Sequence, residues 1–356
     1  MQLSVIGKFR DGRLIYAVPP HTPSYGYIAI GVVDRGTNVL QVRPTTICPQ
    51  NCIFCSVDAG LHSRNRWAEF IVDPEVVVRG VEEAISVKGC YVEALIDTVG
   101  DPLTYPYLVE LVKALKSTSG VRSVALETHG MLLSKRLVDK LHNAGLDRVN
   151  LSLETLNPEK ARFLYGTRAY SVERVVDVAE YLVSETNIDL HVTPLWLPGI
   201  NDRDVERVLE WALRVGAGKK WPPVTVQKFI KHKYGRGHDL REASWSEFWR
   251  FVESLEKKIG VKLRWSMEEW GMHYARSVKP PISRGDLVEV NIVSRGWLKR
   301  EYLGVYSDKY LIGVFTSGHL GNIVNRKALI RVINDKNGLL LGVVEKAYSS
   351  SNYLLA

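Results

Sequence analysis

The alternation of apolar and polar residues divides the chain into three regions of different texture. Residues 1–38 contain short apolar runs broken by turns and end in the run 27–33, a pattern typical of short antiparallel strands. In residues 39–276, runs of strand length alternate with segments whose apolar residues recur at helical spacing. After a Pro-containing linker near 279–281, residues 282–350 return to short strand-like runs. The pattern predicts an N-terminal β extension, a central α/β domain and a small β domain.

The central region contains six predicted strands, each followed by a predicted helix. The strands are expected over 39–42, 91–97, 123–127, 148–153, 188–193 and 224–229. The helices are expected over 74–87, 105–118, 134–143, 171–184, 202–215 and 245–258. Strands that alternate with helices pair in parallel through right-handed crossovers, and function then lies at the carboxyl ends of the strands.

The last region has five predicted strands and no convincing helix. They are expected over 287–293, 302–306, 310–315, 328–333 and 339–344. Five short strands in this length favour a small barrel of the OB type. The pattern resembles the TRAM domain, an RNA-binding module of several tRNA-modifying enzymes. Residues 282–356 hold ten Lys and Arg against six Asp and Glu, a net charge of +4, which suits a phosphate backbone.

Three of the four cysteines form a C-x3-C-x2-C run directly after the first central strand. They are Cys48, Cys52 and Cys55. Closed iron–sulfur clusters usually take four cysteine ligands, whereas three leave one iron open to another ligand. A zinc site with His62 as the fourth ligand is the alternative. A disulfide fits poorly, because the chain is long, has few cysteines and shows no secretory segment.

This spacing, with Phe54 just before the third cysteine, closely resembles the cluster loop of radical S-adenosylmethionine (SAM) enzymes. The resemblance implies a partial (β/α)6 barrel and a 4Fe–4S cluster held by Cys48, Cys52 and Cys55. In that family the open iron binds SAM, and one electron cleaves SAM to methionine and a 5′-deoxyadenosyl radical. A small electron donor such as ferredoxin or flavodoxin is then an expected partner.

Two further segments resemble SAM-binding elements of the same family. Gly100 and Asp101 follow the second central strand, where the family has Gly-Gly-Glu-Pro, although Val99 and Asp101 depart from that pattern. An ordinary turn is the alternative there. Ser152 and Glu154 resemble the Leu-Ser-Leu-Asp segment whose polar side chains contact ribose, and period-two alternation puts both on one face. The alternative is a helix start at residue 157 with a solvated Glu154. Phe54, Gly100, Asp101, Ser152 and Glu154 are thus the candidate SAM contacts.

Glu127 and His129 close the third central strand and are the candidate catalytic residues. A neutral histidine can move protons near physiological pH, and a purely structural histidine is the alternative. Cys90 precedes the second central strand, at the opposite end of the barrel from the expected site. A buried, inert thiol is the better interpretation of Cys90.

The chain carries a formal charge of +8 and a pI near 9.2, which favours a polyanionic partner. The first ten residues lack the apolar core of a signal peptide, and no run reaches the length of a membrane span, so we expect a cytoplasmic protein without a membrane partner. Basic residues interleaved with aromatic ones after the sixth strand suit contact with phosphates and bases, and a solvated charged loop is the alternative. The RNA-binding candidates are Lys228, Lys231, Lys233, Arg236, Lys299, Arg300, Arg326 and Lys327.

The leading hypothesis is a radical SAM enzyme that modifies a structured RNA, with tRNA as the first candidate. One alternative is a radical SAM enzyme that acts on a small metabolite, lipid or peptide. The other is a non-catalytic RNA-binding protein whose metal only stabilises the fold.

Overall fold

The computed structural model describes residues 3–316 and 321–348, so predictions that cover residues 1–2, 317–320 and 349–350 lie outside the described residues. The strands before the last region are β1 (Ser4–Lys8), β2 (Leu14–Val18), β3 (Gly31–Asp34), β4 (Val39–Arg43), β5 (Ala68–Val72), β6 (Val92–Ile96), β7 (Val121–Thr128), β8 (Arg148–Leu151), β9 (Asp189–Val192), β10 (Leu195–Trp196) and β11 (Gln227–Lys228). The helices are α1 (Pro74–Lys88), α2 (Leu108–Ser117), α3 (Lys135–Ala144), α4 (Pro158–Leu164), α5 (Val172–Glu185), α6 (Asp202–Arg214) and α7 (Trp245–Ile259). Six of these helices match the predicted ones closely, and α4 is additional.

Local sequence signals account for the helix boundaries. The side chain of Asp73 accepts a hydrogen bond from the backbone of Glu75 at the start of α1, and Gly89 ends that helix with φ +64°. At the start of α7, Ser244 and Glu247 form a reciprocal capping box.

The central sheet has the strand order β3-β4-β6-β7-β8-β9. Strands β4, β6, β7, β8 and β9 are parallel, and β3 pairs with β4 as an antiparallel edge strand. The strand side chains that face the surrounding helices are almost fully buried, as expected for a parallel sheet covered by helices. The predicted α/β fold with a partial barrel is confirmed.

The sixth predicted strand, 224–229, is not one continuous strand. Val224 forms a parallel bridge with Val192, and β11 then pairs in parallel with β10. Pro194 lies between β9 and β10 and has no N–H for a ladder, while its carbonyl accepts a hydrogen bond from the Gln227 N–H at 2.9 Å. The proline therefore interrupts the strand, so that β9 and β10 are separate and each pairs only briefly with the segment 224–228.

A second sheet of three strands, ordered β1-β2-β5, packs beside the central sheet. Strand β5 follows the cysteine loop and was not predicted from the sequence. It pairs in parallel with β2, so that Phe70 lies opposite Tyr16 and their rings stack at 5.7 Å. Pairing with the N-terminal segment gives this short stretch its strand conformation.

The last region is a closed five-stranded barrel with the order β12-β13-β14-β16-β15. Its strands are β12 (Leu287–Arg295), β13 (Glu301–Tyr306), β14 (Tyr310–Phe315), β15 (Lys327–Asn334) and β16 (Leu341–Ala347). This small barrel agrees with the predicted fold class. Within the described residues, no helix is both long and apolar enough to cross a membrane.

The small barrel packs directly against the rest of the molecule. The N–H of Leu311 donates to the Tyr25 carbonyl, and the N–H of Leu340 donates to the Gly26 carbonyl, each at 2.7 Å. Gly26 has φ +106°, and a Cβ there would lie 2.0 Å from the Leu311 carbonyl oxygen, so only glycine allows this approach. Trp297, between β12 and β13, joins the hydrophobic core of the central domain.

Candidate active site

A cavity of about 310 Å³ lies at the carboxyl ends of β4, β6, β7 and β8. Predicted site residues that line it are Cys48, Cys52, Phe54, Cys55, Gly100, Asp101, Glu127, His129, Ser152, Glu154 and Lys228. The structure thus brings the cysteine motif, the candidate SAM contacts and the candidate catalytic residues to one cavity. This is the end of a parallel sheet where ligands ordinarily bind.

The three motif cysteines are free thiols. Cys52 is buried, while Cys48 and Cys55 are half-buried, and the Sγ of Cys55 accepts the Ala59 N–H at 3.2 Å. Burial raises the pKa of the Cys48 and Cys52 thiols, and the Asp101 carboxyl adds to the rise at Cys48. Thiolates in such a place need positive charge beside them, which cluster iron supplies, so the donor set fits a cluster.

The alternatives for the cysteines can be compared with their surroundings. His62, the fourth ligand of the zinc alternative, is exposed and is not among the residues that line the cavity. Across residues 3–316 and 321–348, no three His, Cys, Asp or Glu side chains converge on a point suited to a single metal ion. Ligands of a multi-iron cluster each bind a different iron, so they need not converge in this way.

Helix α4 holds the cysteine loop from one side. The N–H of Asn51 donates to the Tyr165 carbonyl at 3.0 Å, and the N–H of Ile53 donates to the Leu164 carbonyl at 2.9 Å. A Cβ on Gly166 would lie 2.1 Å from the Asn51 carbonyl oxygen, so this backbone contact requires glycine. The helix start at Asn157, considered above as the alternative for this segment, is present, but Glu154 is buried rather than solvated.

Gly100 and Asp101 join the cysteine loop to the ends of β6 and β7. A Cβ on Gly100 would lie 2.2 Å from the Ile47 carbonyl oxygen, and the Asp101 N–H donates to that same oxygen at 2.9 Å. The buried Asp101 carboxylate accepts hydrogen bonds from the Leu103 N–H at 2.9 Å and the Thr128 hydroxyl at 3.0 Å. Burial raises the pKa of Asp101 above its ordinary value.

His129, Ser152 and Glu154 form a polar cluster beside Phe54. The Nδ1 of His129 lies 3.1 Å from the Ser152 carbonyl oxygen, which can only accept, so Nδ1 carries a proton and Nε2 is the acceptor of the neutral ring. The Glu154 Oε2 lies 3.9 Å from that Nδ1 and has no hydrogen-bond partner among the described residues, although it is buried. Burial raises the pKa of Glu154. The ring of Phe54 meets the His129 ring edge to face at 6.2 Å.

Glu127 faces the cavity from the end of β7. Enclosure in the barrel raises its pKa to about 8, and the neighbouring Asp97 carboxylate adds to the rise. The positive charges of Arg43 and Arg148 lower the pKa of Glu127 and so oppose part of this rise. A carboxyl with a raised pKa is protonated to a larger extent near neutral pH, so it can donate a hydrogen bond or a proton.

The predicted RNA-binding residues differ in how free their charges are. Lys231, Lys233, Lys299 and Arg300 are exposed, and Arg326 is half-buried. Lys228 is mostly buried and pairs with Glu242 at 3.2 Å, while Lys327 pairs with Glu289 at 2.7 Å. The guanidinium of Arg236 is engaged with the cysteine loop and pairs with Asp58 at 2.7 Å.

Sequence reasoning missed several residues of the cavity wall. Gln50, between the first two motif cysteines, is fully buried, and its side-chain amide has no partner among the described residues. Asp97 and Thr128 also line the cavity. Their positions at the carboxyl ends of predicted strands could have identified them as residues of the site. Cys90 is half-buried just before β6, at the opposite end of the sheet from the cavity.

Comparison with known proteins agrees with this architecture. Residues 42–212 match the model of the radical SAM superfamily. An uncharacterised protein of Methanocaldococcus jannaschii is 32% identical over 94% of this chain and 81% of its own length. A GTP 3′,8-cyclase of Heliobacterium modesticaldum is 34% identical over 52% of this chain and 56% of its own length.

Solved structures with a similar fold have low sequence identity. A structure of TYW1 with a lysine-pyruvate adduct bound is 19% identical, covers 67% of this chain and 80% of that chain, and has a TM-score of 0.45. The crystal structure of methylornithine synthase is 17% identical, covers 65% of this chain and 62% of that chain, and has a TM-score of 0.46. On the match to the superfamily model and the extent of the archaeal relative, this chain belongs to the radical SAM superfamily.

Proposed function

We propose that this radical SAM enzyme modifies a structured RNA, with Cys48, Cys52 and Cys55 as the cluster ligands. The observation that carries the proposal is a continuous basic surface that runs from the cavity to the small barrel. When bound, the 4Fe–4S cluster and SAM that this superfamily uses supply one-electron chemistry for hydrogen abstraction. The residues of the chain bind, orient and exchange protons around that chemistry.

The cavity wall supports separate roles for its residues. Gly100, which has no room for a side chain, exposes backbone, and Asp101 holds that backbone between β6 and β7. The unpartnered Oε2 of Glu154 is suited to a hydroxyl donor such as a ribose, because a buried carboxylate oxygen is ordinarily hydrogen-bonded. The Nε2 of His129 can accept a proton, and Glu127 can donate one.

The basic surface is formed by three loops: residues 56–66, 230–238 and 296–300. The Asn65 side chain donates to the Tyr234 carbonyl at 3.0 Å, and the Lys299 N–H donates to the Asn65 carbonyl at 2.8 Å, so the loops are in direct contact. Their exposed Lys and Arg are Arg64, Lys231, Lys233, Lys299 and Arg300.

The acidic residues adjoining this surface offset only part of its charge. Glu242 is exposed but pairs with Lys228 and accepts the Lys231 N–H. The exposed Asp239 directly follows the second loop. Asp58, within the first loop, is 1% exposed and pairs with Arg236. Glu301, directly after the third loop, is also 1% exposed. The surface begins at the cavity, since His232 lines it, and it ends on the small barrel. The exposed cations of the three loops form no ion pair among the described residues. Such a series of free cations suits the regularly spaced phosphates of a nucleic acid.

The test is deoxyadenosine release by anaerobically reconstituted, reduced protein with SAM, with and without total tRNA. We expect tRNA to increase release, and the double variant Lys299→Gln/Arg300→Gln to lose most of that increase. The matched control is Lys257→Gln/Lys258→Gln, which removes two exposed lysines at the far end of α7. Equal release with and without tRNA would refute the RNA assignment.

A mononucleotide is the second candidate substrate. The relatives named GTP 3′,8-cyclase, which match about half of this chain, favour it. A mononucleotide held in the cavity would need Lys231 or His232 for its phosphates but not the barrel residues Lys299 and Arg300. Release stimulated by GTP and unaffected by Lys299→Gln/Arg300→Gln would favour this candidate.

A further inference from the structure

The loop that follows β11 binds the cysteine loop through one arginine. The Nε of Arg236 donates to Asp58 Oδ1 at 2.7 Å, and its Nη1 donates to the Cys52 carbonyl at 3.2 Å. Its Nη2 donates to the Ala59 carbonyl, and its backbone N–H donates to the Cys55 carbonyl at 2.7 Å. One residue thus contacts the carbonyls of two of the three motif cysteines.

Two glycines bring this arginine into position. A Cβ on Gly235 would lie 2.9 Å from the carbonyl oxygens of both Cys55 and Ser56. Gly237 has φ +77°, and a Cβ there would lie 3.1 Å from the Ile53 carbonyl oxygen. The close approach of the two backbones is therefore built into the Gly-Arg-Gly sequence.

Asp58, the partner of Arg236, organises the second half of the cysteine loop. It is buried, has φ +49°, and its Oδ2 accepts the N–H groups of Arg64 at 2.7 Å and Asn65 at 2.8 Å. Asp58 therefore keeps hydrogen-bond donors without Arg236, and the Cys52 carbonyl keeps the Cys55 N–H at 3.2 Å. The guanidinium adds a second donor to the Cys52 carbonyl and joins it to Asp58 and the Ala59 carbonyl.

We infer that Arg236 is a positioning residue for the cluster: its guanidinium fixes the backbone of Cys52 and Ala59 and places a permanent positive charge beside the cysteine motif. Arginine stays protonated, and three separate nitrogens of its planar fork donate to one carboxylate and two carbonyls, whereas a lysine offers a single nitrogen. A nearby cation stabilises the more negative, reduced state of a cluster and raises its reduction potential. This inference rests on the proposed cluster ligands and is independent of the substrate.

The test compares Arg236→Gln and Arg236→Lys with the wild-type protein after anaerobic reconstitution. Arg241→Gln is the matched control, because Arg241 lies in the same loop, is exposed and pairs with the exposed Glu247. The readouts are iron per chain, the rate of iron loss to a chelator, and the reduction potential from an EPR-monitored titration. Circular dichroism establishes that each variant is folded.

We expect Arg236→Gln to lose iron at least about tenfold faster than wild type, equivalent to about 1.4 kcal/mol, and to have a lower reduction potential. Arg236→Lys is expected to keep the potential close to that of wild type but to lose iron faster, because it retains the charge without the fork. Wild-type iron loss and potential in Arg236→Gln would overturn the inference while leaving the cluster ligands intact.

If Arg236→Gln does not fold, Arg236→Lys decides, and wild-type iron retention there overturns the inference. A wild-type chain that takes up no iron would instead refute the proposed cluster ligands, and the inference with them.

Discussion

Glu301 links the small barrel to the central domain through a buried carboxyl, and replacing it with glutamine should change how stability depends on pH. Its Oε2 accepts the Tyr27 hydroxyl at 2.9 Å and the Leu298 N–H at 3.1 Å. Burial raises the pKa of Glu301 from 4.5 to about 8. The folded protein therefore favours the neutral carboxyl, whereas the unfolded chain ionises it near its ordinary value.

The direction of the effect follows from linkage. A raised pKa in the folded state means that the contribution of Glu301 to stability is fully present below about pH 4.5 and is lost as the pH rises toward 8. Since one pKa unit is worth about 1.4 kcal/mol, the loss between pH 5 and pH 7 is roughly 2–3 kcal/mol. Glu301→Gln cannot ionise and keeps an oxygen to accept both hydrogen bonds, so it escapes this loss.

The assay is urea unfolding of wild type and Glu301→Gln across pH 5 to 8, followed by tryptophan fluorescence. The difference in unfolding free energy between the two proteins isolates this one group, because all other groups titrate alike in both. We expect the variant to gain roughly 2–3 kcal/mol relative to wild type between pH 5 and pH 7. The control Glu345→Gln makes the same substitution at an exposed glutamate of the same barrel, where burial does not penalise the carboxylate. A flat difference for Glu301→Gln would refute the reasoning.

Three further predictions concern the cavity. Gly100→Ala forces a Cβ against the Ile47 carbonyl, so we expect a loss of about 1–3 kcal/mol in stability and weaker SAM binding, measured by thermal unfolding and calorimetry. Cys52→Ser should take up much less iron on reconstitution while Cys90→Ser retains the wild-type content; equal iron in both would contradict the ligand assignment. The pKa of Glu127 is about 8, so a proton-donor role predicts that product formation falls above pH 8 and that Glu127→Gln is slow without this alkaline decline.

Features encoded in short segments could be predicted from the sequence. The helices follow from apolar spacing and from caps such as Asp73 and Gly89, and the cysteine motif was placed correctly at the carboxyl end of its strand. The rule that function lies at the carboxyl ends of parallel strands also predicted that His129 and Glu154 lie at the cavity. These predictions succeed because strand alternation and helix periodicity are local properties.

Features that depend on distant segments could not be predicted in this way. Strand β5 exists because it pairs with β2, and the short apolar run alone gave no reason to choose a strand over a loop. Arg236 looked like one more cation of a basic loop, but its partner Asp58 lies 178 residues earlier in the chain. No local sequence feature marks Glu301 as buried, because its partner Tyr27 lies 274 residues away.

The contacts of Arg66 show how the small barrel takes part in the site. Its Nη1 donates to the Thr46 carbonyl at 2.7 Å and to Glu69 at 2.9 Å, and its Nη2 donates to the Val99 carbonyl. The ring of Trp297, which belongs to the small barrel, covers this guanidinium with the ring centre 5.1 Å from its central carbon.

Separation of the barrel would remove the Trp297 ring from Arg66 and let water compete for the hydrogen bonds of its guanidinium, so it would loosen the backbone on both sides of the cavity. Arg66 binds the backbone of Thr46, just before the cysteine motif, and the backbone of Val99, just before Gly100. The barrel therefore supports the backbone around the site through Arg66 and is not an independent module on the linker near 279–281. An RNA bound to its basic loop would be held at a fixed distance from the cavity, which is what selecting one nucleotide of a folded RNA requires.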